Sequence, residues 1–253
     1  MSLVRVLTGA AGLALAAAAF AVPAQAAAPA AQAAAPAAPA PPSDLQPMII
    51  DGEDATNAPW AARLLNNGQE ACTATAISPE WVLTAQHCVE GAEDGAISFR
   101  VGSLNQHEGE EFKAKSGGVH IHDSVDLALV NVDRPMNVEF APLGETGDVA
   151  NGDTVQTYGW GATCTDKPES ECQATNLKVA DVKVTDIACT DYRGGTAVCA
   201  ERGTGIPAGG DSGGPMFSNG KQVGVASTSD RATSTAYNNI TEYRDWIKEV
   251  AGV

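Results

Sequence analysis

Gly-Asp-Ser-Gly-Gly-Pro at residues 210–215 is the stretch from which the fold and function of this chain can be inferred. A serine lies between an acid and two glycines, where side-chain bulk is almost absent. Glycine accepts positive φ and allows another chain to approach closely. Backbone N–H groups gathered in such a turn can point at one place and hold a negative oxygen. The segment therefore predicts a nucleophile, Ser212, beside an oxyanion hole; the alternative is a glycine-rich turn with an incidental serine.

Two other segments supply the partners that a nucleophilic serine needs. His87 lies in Thr-Ala-Gln-His-Cys at residues 84–88, and Asp126 stands at the head of the apolar run Leu-Ala-Leu-Val. A serine hydroxyl is a weak nucleophile at neutral pH, so it requires a base within hydrogen-bond reach and a group that orients that base. Taken singly, His87 could be any surface or core histidine and Asp126 any strand-end aspartate. Together with Ser212 they predict a catalytic triad.

The chain order His87, Asp126, Ser212 and the residues around each of them resemble the chymotrypsin-like serine proteases. The resemblance extends from Ile49 to the C-terminus. It implies that Ser212 attacks a peptide carbonyl, that His87 transfers the proton, and that Asp126 orients His87. The N–H groups of Gly210 and Ser212 would form the oxyanion hole. Protein or peptide substrates are therefore expected, hydrolysed through an acyl-enzyme intermediate without a cofactor.

The other histidines are weaker candidates for the base. His107, His120 and His122 lack the Thr-Ala-x-His-Cys setting, and we expect them to be surface residues. No metal site is expected either, because the chain contains no Cys-x-x-Cys pair. The acidic residues 108, 110 and 111 are interpreted as a solvated loop rather than a calcium site.

Residues 1–26 are predicted to be a secretory signal peptide. Arg5 precedes an Ala/Leu/Gly/Val run that ends near Val22, and Ala-Gln-Ala at residues 24–26 provides a small-x-small cleavage site. A transmembrane helix is the weaker interpretation, because the run is mostly alanine and Pro23 ends it. Residues 27–48 are mostly Ala, Pro and Gln, which predicts a disordered propeptide or spacer. The mature protein is expected to be extracellular, with no membrane attachment once the signal peptide is removed.

The charge of the chain excludes one class of partner. The formal net charge is −16, and all of it belongs to the part after residue 48, because Arg5 and Asp44 cancel in the leader. A surface this acidic argues against binding to nucleic acid. It favours solubility, and we expect a monomer.

The mature part, residues 49–253, is predicted to be all-β. Short apolar runs alternate with turn residues, at 73–77, 81–84, 97–101, 127–132, 154–158, 177–185 and 222–227. Many short strands without helices between them indicate a sandwich or a barrel. The resemblance implies two six-stranded antiparallel barrels, at about 49–138 and 139–241. A C-terminal helix at about 242–251 is predicted by apolar residues at three- and four-residue spacing.

The cysteines indicate an oxidising compartment. Their even number behind a signal peptide implies three disulfides, although several connectivities are open. The resemblance implies the pairs Cys72–Cys88 and Cys189–Cys199, which leaves Cys164 with Cys172.

The start of the mature part indicates activation by proteolysis. Ile-Ile-Asp-Gly at residues 49–52 resembles the family's mature N-terminus. Cleavage before Ile49 would free an α-amino group, which would pair with Asp211 and complete the oxyanion hole. The alternatives are an ordinary buried Ile49 and a simple turn aspartate. Because Met48 precedes the cut, another protease is expected to make it.

The specificity pocket departs most from the trypsin pattern. Ile206 occupies the position at which trypsin-like members carry an acid, so cleavage after Lys or Arg is not supported. Ser227 would lie beneath the triad. Ser229 and Thr235 stand where members with open pockets have glycine, which resembles elastase-type pockets for small or aliphatic side chains. Ala208 replaces a pocket-bracing cysteine.

Two other functions are compatible with these residues. A catalytically silent binding protein on the same scaffold would explain bulky pocket residues such as Ile206 and Thr235. A structural, wall-associated protein would use the Ala/Pro-rich segment as a spacer. The complete triad argues against both.

Overall fold

The computed structural model of the chain describes residues 49–93 and 95–253. The predicted signal peptide and Ala/Pro-rich segment, residues 1–48, lie outside the described residues. The described part consists of thirteen strands and one α-helix, with three short 3-10 turns at Gln86–Cys88, Glu169–Glu171 and Ile240–Glu242. The strands are β1 (Glu53–Asp54), β2 (Ala61–Asn66), β3 (Gln69–Ser78), β4 (Trp81–Thr84), β5 (Ile97–Val101), β6 (Glu110–Ile121), β7 (Ala128–Val132), β8 (Thr154–Gly159), β9 (Lys178–Thr190), β10 (Thr196–Arg202), β11 (Pro215–Ser218), β12 (Lys221–Ser229) and β13 (Ser234–Asn239), and the helix is α1 (Arg244–Ala251).

The first barrel is closed by β2, β3, β4, β7, β6 and β5 in that order, with every neighbouring pair antiparallel. Its interior is filled by the apolar residues that the sequence places on alternate positions, among them Leu64, Phe99 and Leu129. Leu64 faces Cys72 on one neighbouring strand and Phe99 on the other. Closure leaves no unpaired strand edge in this half of the molecule.

The second barrel runs β9, β10, β13, β12, β11, β8, and pairing of β8 with β9 closes it. Val155, Val182, Val198 and Met216 are in its core. The all-β prediction and the two six-stranded barrels are confirmed.

The segment that begins at Ile49 lies on the second barrel, although its position in the sequence led us to expect it in the first. β1 pairs with β9, and Ile50 forms an isolated bridge with Ile206. The first barrel begins only at β2. This placement is decided by backbone pairing of β1 with the part of the β9 edge that β10 does not cover. No local pattern in residues 49–54 indicates it.

The C-terminal helix packs against the first barrel, although it follows the second barrel in sequence. Ile247 of α1 is fully buried in the core of the first barrel. Gly252 ends the helix at φ 77°, and its N–H donates to the Lys248 carbonyl at 2.9 Å. A positive φ at this position is where glycine is favoured. In the described part of the chain, no helix is long and apolar enough to cross a membrane.

The six cysteines form three disulfides. Cys72–Cys88 joins β3 to the turn that carries His87. Cys164–Cys172 closes the loop after β8, and Cys189–Cys199 joins β9 to β10. These are the pairs that the sequence predicts.

Candidate active site

His87 and Asp126 are brought together by two paired strands of the first barrel. Thr84 at the end of β4 pairs with Ala128 at the start of β7, so the residues beyond these ends are neighbours. His87 Nδ1 lies 2.8 Å from Asp126 Oδ2, and the His87 backbone N–H donates to Oδ1 at 3.0 Å. With Nδ1 protonated toward the carboxylate, Nε2 is the nitrogen left to accept a proton.

Asp126 is fully buried and is supplied with donors from both barrels. Ser227 on β12 donates its hydroxyl to Asp126 Oδ2 at 2.6 Å. Burial acts to raise the pKa of Asp126, but the hydrogen bonds and charge of His87 and the hydroxyl of Ser227 outweigh it and hold the pKa below its usual range. Asp126 is therefore ionised at neutral pH.

Asp191 supports Asp126 and was missed by sequence reasoning. It lies in the turn between β9 and β10, and its Oδ2 accepts the Asp126 N–H at 2.9 Å and the Asn238 amide at 2.6 Å. Its Oδ1 accepts the N–H groups of Gly195 at 2.7 Å and Arg193 at 2.8 Å. An aspartate in a loop carries no motif, so only the fold reveals that it joins the second barrel to Asp126.

Ser212 is held between the two barrels. Its carbonyl accepts the N–H of Thr73 in the first barrel at 2.9 Å, and the next residue, Gly213, donates to the Ala226 carbonyl of the second at 2.9 Å. Gly213 has φ +78°, and a Cβ there would overlap the Thr84 hydroxyl and the Thr73 carbonyl. Glycine is thus required for the serine turn to approach the strands that precede His87.

One hydrogen bond on the preceding peptide orients the N–H of Gly210. The preceding carbonyl, that of Gly209, accepts the Ala162 N–H at 2.7 Å. In a trans peptide the N–H points opposite to the carbonyl, so this bond also orients the Gly210 N–H. Gly210 itself has φ +100°, a conformation that favours glycine.

The N–H of Ser212 is oriented in the same way, because the Asp211 carbonyl accepts the Gly214 N–H at 2.8 Å. Within residues 49–93 and 95–253, neither the Gly210 N–H nor the Ser212 N–H donates to a protein acceptor. Two oriented, unoccupied donors on either side of Asp211 are suited to binding an oxyanion.

Asp211 is a second buried carboxylate, and it accepts fewer hydrogen bonds than Asp126. Its oxygens accept the N–H groups of Gly161 at 2.7 Å and Ala208 at 2.8 Å. Burial raises the pKa of Asp211 to about 6, against the effect of these hydrogen bonds and of the Arg63 charge. In the described part of the chain, no cationic side chain lies within ion-pair distance of Asp211. Ile49 is fully buried, and Ile50 pairs with the segment that leads into the Asp211 turn.

A pocket of about 200 Å³ opens beside Ser212. Ser227, Ser229 and Thr235, which the sequence suggests as substrate-binding residues, line it. The other residues that line it are Pro207, Ala208, Gly209, Asp211, Ala226, Thr228 and Arg231.

Ile206 is not in the wall of this pocket, contrary to expectation. Its side chain is fully buried in an apolar cluster with Ile50, Ala162 and Ala208, and its N–H donates to the Ile50 carbonyl at 3.1 Å. Pairing with the N-terminal segment turns Ile206 away from the pocket, which the distance along the chain from Ser212 does not reveal.

Arg231 is a wall residue of the pocket that the sequence did not indicate. Its Nε lies 2.8 Å from Glu169 Oε1, and the same oxygen accepts the Gly209 N–H at 3.0 Å. The pair spans from the β12–β13 turn to the loop closed by Cys164–Cys172. The pocket wall therefore contains an arginine.

Among the described residues, none of the other histidines has a side-chain hydrogen bond to Asp126. His107 is exposed and contacts Glu70, and His120 is exposed against Trp81. His122 is half-buried against the rings of Tyr243 and Trp246, and burial lowers its pKa.

The side chains of Cys72, His87 and Cys88 are close enough together to suggest a metal site. The two cysteines form a disulfide, so neither offers a thiolate.

Comparisons with known proteins identify the family of the chain. The family model described as Trypsin matches residues 49–247. The trypsin of Saccharopolyspora erythraea is 31% identical over 202 residues, covering 71% of this chain and 86% of that protein. The brachyurin of Leptuca pugilator is 26% identical over 238 residues, covering 81% of this chain and 99% of that protein.

Two solved structures share the fold at lower identity. The scabies mite inactivated protease paralogue S-D1 has a TM-score of 0.70 at 21% identity, covering 80% of this chain and 97% of that chain. Human heparin binding protein has a TM-score of 0.68 at 24% identity, covering 79% of this chain and 96% of that chain. Likeness at this distance concerns the fold alone, so the chemistry must be argued from the residues.

Proposed function

Because the chain belongs to the trypsin family and is a serine endopeptidase, we propose that it cleaves peptide bonds through an acyl-enzyme formed on Ser212. Its substrates are proteins or peptides. The observation that carries the proposal is the pair of contacts from His87 to Asp126, at 2.8 and 3.0 Å, together with a serine turn in which the Gly210 and Ser212 N–H groups have no acceptor among the described residues.

In the first half of the reaction, Ser212 Oγ attacks the carbonyl carbon and His87 Nε2 takes the hydroxyl proton. The electron pair of the C=O bond moves to oxygen, and the N–H groups of Gly210 and Ser212 bind the resulting anion. The C–N bond then breaks, and His87 gives its proton to the leaving amine. In the second half, water attacks the acyl-enzyme in the same way and Ser212 is regenerated.

Asp126 fixes the tautomer of His87 and stabilises the imidazolium formed in each half. Ser227 and Asp191 support this role by donating to and accepting from Asp126. No step assigned to these residues requires a metal or a cofactor.

We propose that the enzyme is made as a secreted precursor. Residues 1–26 would be removed as a signal peptide, and a different protease would cut after Met48 to release residues 27–48. The new α-amino group of Ile49 would then pair with Asp211. The proposal is supported by the raised pKa of Asp211, about 6, because a nearby cation would keep that buried carboxylate ionised. The mature enzyme would act outside the cell as a monomer without a membrane anchor.

The primary pocket is proposed to accept small or aliphatic side chains. Thr235 and Ser229 occupy part of a wall that encloses only about 200 Å³. Arg231 in the same wall is paired with Glu169, so this pair offers no free carboxylate to a lysine or arginine side chain. Profiling with a peptide library should show small or aliphatic residues before the cut; a strong preference for Arg or Lys would contradict this.

The alternative of a catalytically silent binding protein is not favoured. One solved neighbour is described as an inactivated protease paralogue, so the fold is compatible with loss of activity. In this chain His87 is hydrogen-bonded to Asp126, and the serine turn is held by hydrogen bonds to Thr73 and Ala226.

The test is labelling of the secreted protein with a fluorophosphonate, combined with sequencing of its N-terminus. We expect the mature chain to begin at Ile49 and to be labelled at Ser212. His87→Ala should abolish labelling, while His107→Ala, which removes an exposed histidine away from the site, should not. A chain beginning at Ile49 that hydrolyses no peptide and is not labelled would overturn the proposal.

A further inference from the structure

Arg63 is a cation buried in the first barrel without an ion-pair partner. It lies in the middle of β2, and none of its surface is exposed. Among the described residues, no carboxylate lies within ion-pair distance of it. Burying an unpaired charge is costly. A role other than stability would account for an arginine at this position.

The guanidinium of Arg63 reaches the serine turn of the second barrel. Nη1 donates to the Gly210 carbonyl at 3.2 Å, and Nη2 donates to the side-chain oxygen of Gln173. Thr73, which faces Arg63 on the neighbouring strand, donates its hydroxyl to the same carbonyl at 2.9 Å. Nε has no partner in the described part of the chain. The Gly210 carbonyl is thus held by two adjacent side chains of the first barrel.

Arg63 keeps its charge in this position. Burial lowers the pKa of Arg63 to about 10, while the negative charges of Asp211 and Glu70 act to raise it. The side chain is therefore a cation at neutral pH. A charged donor forms a stronger hydrogen bond to a carbonyl than a neutral one does.

The restraint on the Gly210 carbonyl bears on the oxyanion hole. The peptide before Gly210 is held by the Ala162 N–H, and the peptide after it is held by Arg63 and Thr73. Glycine rotates easily about its own φ and ψ, so a turn restrained on one side only can swing its N–H away from the substrate.

We propose that Arg63 is a positioning residue for the oxyanion hole: by holding the Gly210 carbonyl from the first barrel, it keeps the Gly210 N–H directed at the reacting oxygen. This rests on the proposed function of Ser212 and its turn. Arg63 does not touch the substrate. Its effect falls on the transition state, in which the oxygen carries charge, more than on substrate binding.

The experiment compares Arg63→Met and Arg63→Lys with the processed wild-type enzyme. Arg100→Met is the matched control, because Arg100 faces Arg63 in the register of β5 and β2 but, within the described residues, hydrogen-bonds to Glu70 and the Gln106 carbonyl and not to the serine turn. For each enzyme kcat and KM are measured on one peptide substrate. The inhibition constant of a peptide aldehyde, which adds to the serine and places an anionic oxygen in the hole, and the thermal midpoint are also measured.

For Arg63→Met we expect kcat to fall roughly tenfold or more, with KM within about twofold, since a lost transition-state interaction lowers kcat. The inhibition constant of the aldehyde should rise by a similar factor, and the thermal midpoint should not fall. The kcat of Arg63→Lys should lie between those of Arg63→Met and the wild type. One ammonium cannot donate to both the Gly210 carbonyl and Gln173 with the fork geometry of a guanidinium. Arg100→Met should behave as the wild type.

Three outcomes would overturn the inference: an unchanged kcat in folded Arg63→Met, an equal loss in Arg100→Met, or a rise in KM without a fall in kcat. If Arg63→Met does not fold, an unchanged kcat in Arg63→Lys overturns it. A wild-type enzyme that neither cleaves peptides nor labels at Ser212 would instead contradict the proposed function, before any variant is compared.

Discussion

Asp126 and Asp211 are both buried carboxylates of the same site, yet their surroundings shift their pKa values in opposite directions. Asp126 accepts the hydroxyl of Ser227 and two bonds from His87, and its pKa lies below the usual range. Asp211 accepts two backbone N–H groups, and its pKa is raised to about 6. Burial acts to raise the pKa of both, so donors and nearby charge decide the difference.

The difference separates two parts of the active site. The His87–Asp126 part is complete once the two barrels have packed together. The Asp211 part is a turn whose carboxylate has no ion-pair partner among the described residues. We infer that the second part depends on cations supplied from elsewhere: Arg63 from the first barrel and, after cleavage, the α-amino group of Ile49.

The largest effect is expected from a substitution at Asp126. Asp126→Asn should lower kcat on a peptide substrate by about 10⁴-fold, because an amide favours the wrong tautomer of His87. The thermal midpoint should show that the protein still folds. A loss of less than about tenfold would mean that Asp126 does not orient the base.

The next effect tests the raised pKa of Asp211 in the chain that has not been cut at Ile49. Its pKa rises from the usual 3.8 to about 6 in the folded chain. Between these values the folded state binds more protons than the unfolded state, so stability should fall as the pH rises from about 4 to 6, by at most ~3 kcal/mol. Denaturant unfolding at a series of pH values measures this.

Asp211→Asn is the control for that measurement, since it should remove the decrease between about pH 4 and 6. Asp126 does not interfere, because its pKa is lowered and its stabilising contribution is lost only as the pH falls toward and below the usual aspartate value. In the chain that begins at Ile49 the decrease should be smaller. The same decrease in Asp211→Asn as in the unchanged sequence would show that another group is responsible.

The smallest effect removes one donor from the better-supplied carboxylate. Ser227→Ala deletes the 2.6 Å hydrogen bond to Asp126 but leaves both bonds from His87. Loss of one hydrogen bond to a charged group predicts a fall in kcat of roughly tenfold. Ser98→Ala, a similarly buried serine on β5, is the control and should keep wild-type kcat. Equal losses in the two variants would argue against a specific role for Ser227.

The sequence predicts the local parts of the site well, because each is carried by neighbouring residues. The glycines around Ser212 reflect close approach and positive φ, which are local requirements. The alternation of apolar residues indicates strands for the same reason.

Contacts between distant segments explain the residues that sequence reasoning missed or misplaced. Ile206 is six residues from Ser212, but pairing with Ile50 removes it from the pocket wall. Asp191 lies in an ordinary loop and becomes a partner of Asp126 only when the barrels meet. Arg63 interrupts an apolar strand, and nothing near it in sequence indicates that its charge reaches Gly210.

The sequence by itself therefore indicates the all-β architecture and the candidate triad, because motifs and strand periodicity are encoded in neighbouring residues, while the disulfide pairs follow from the resemblance to the family. The tertiary structure alone decides which barrel holds the Ile49 segment, which side chains line the pocket, and how far each buried carboxylate departs from its usual pKa. These properties depend on burial and on donors that come from remote parts of the chain. They are therefore set only when the two barrels pack against each other.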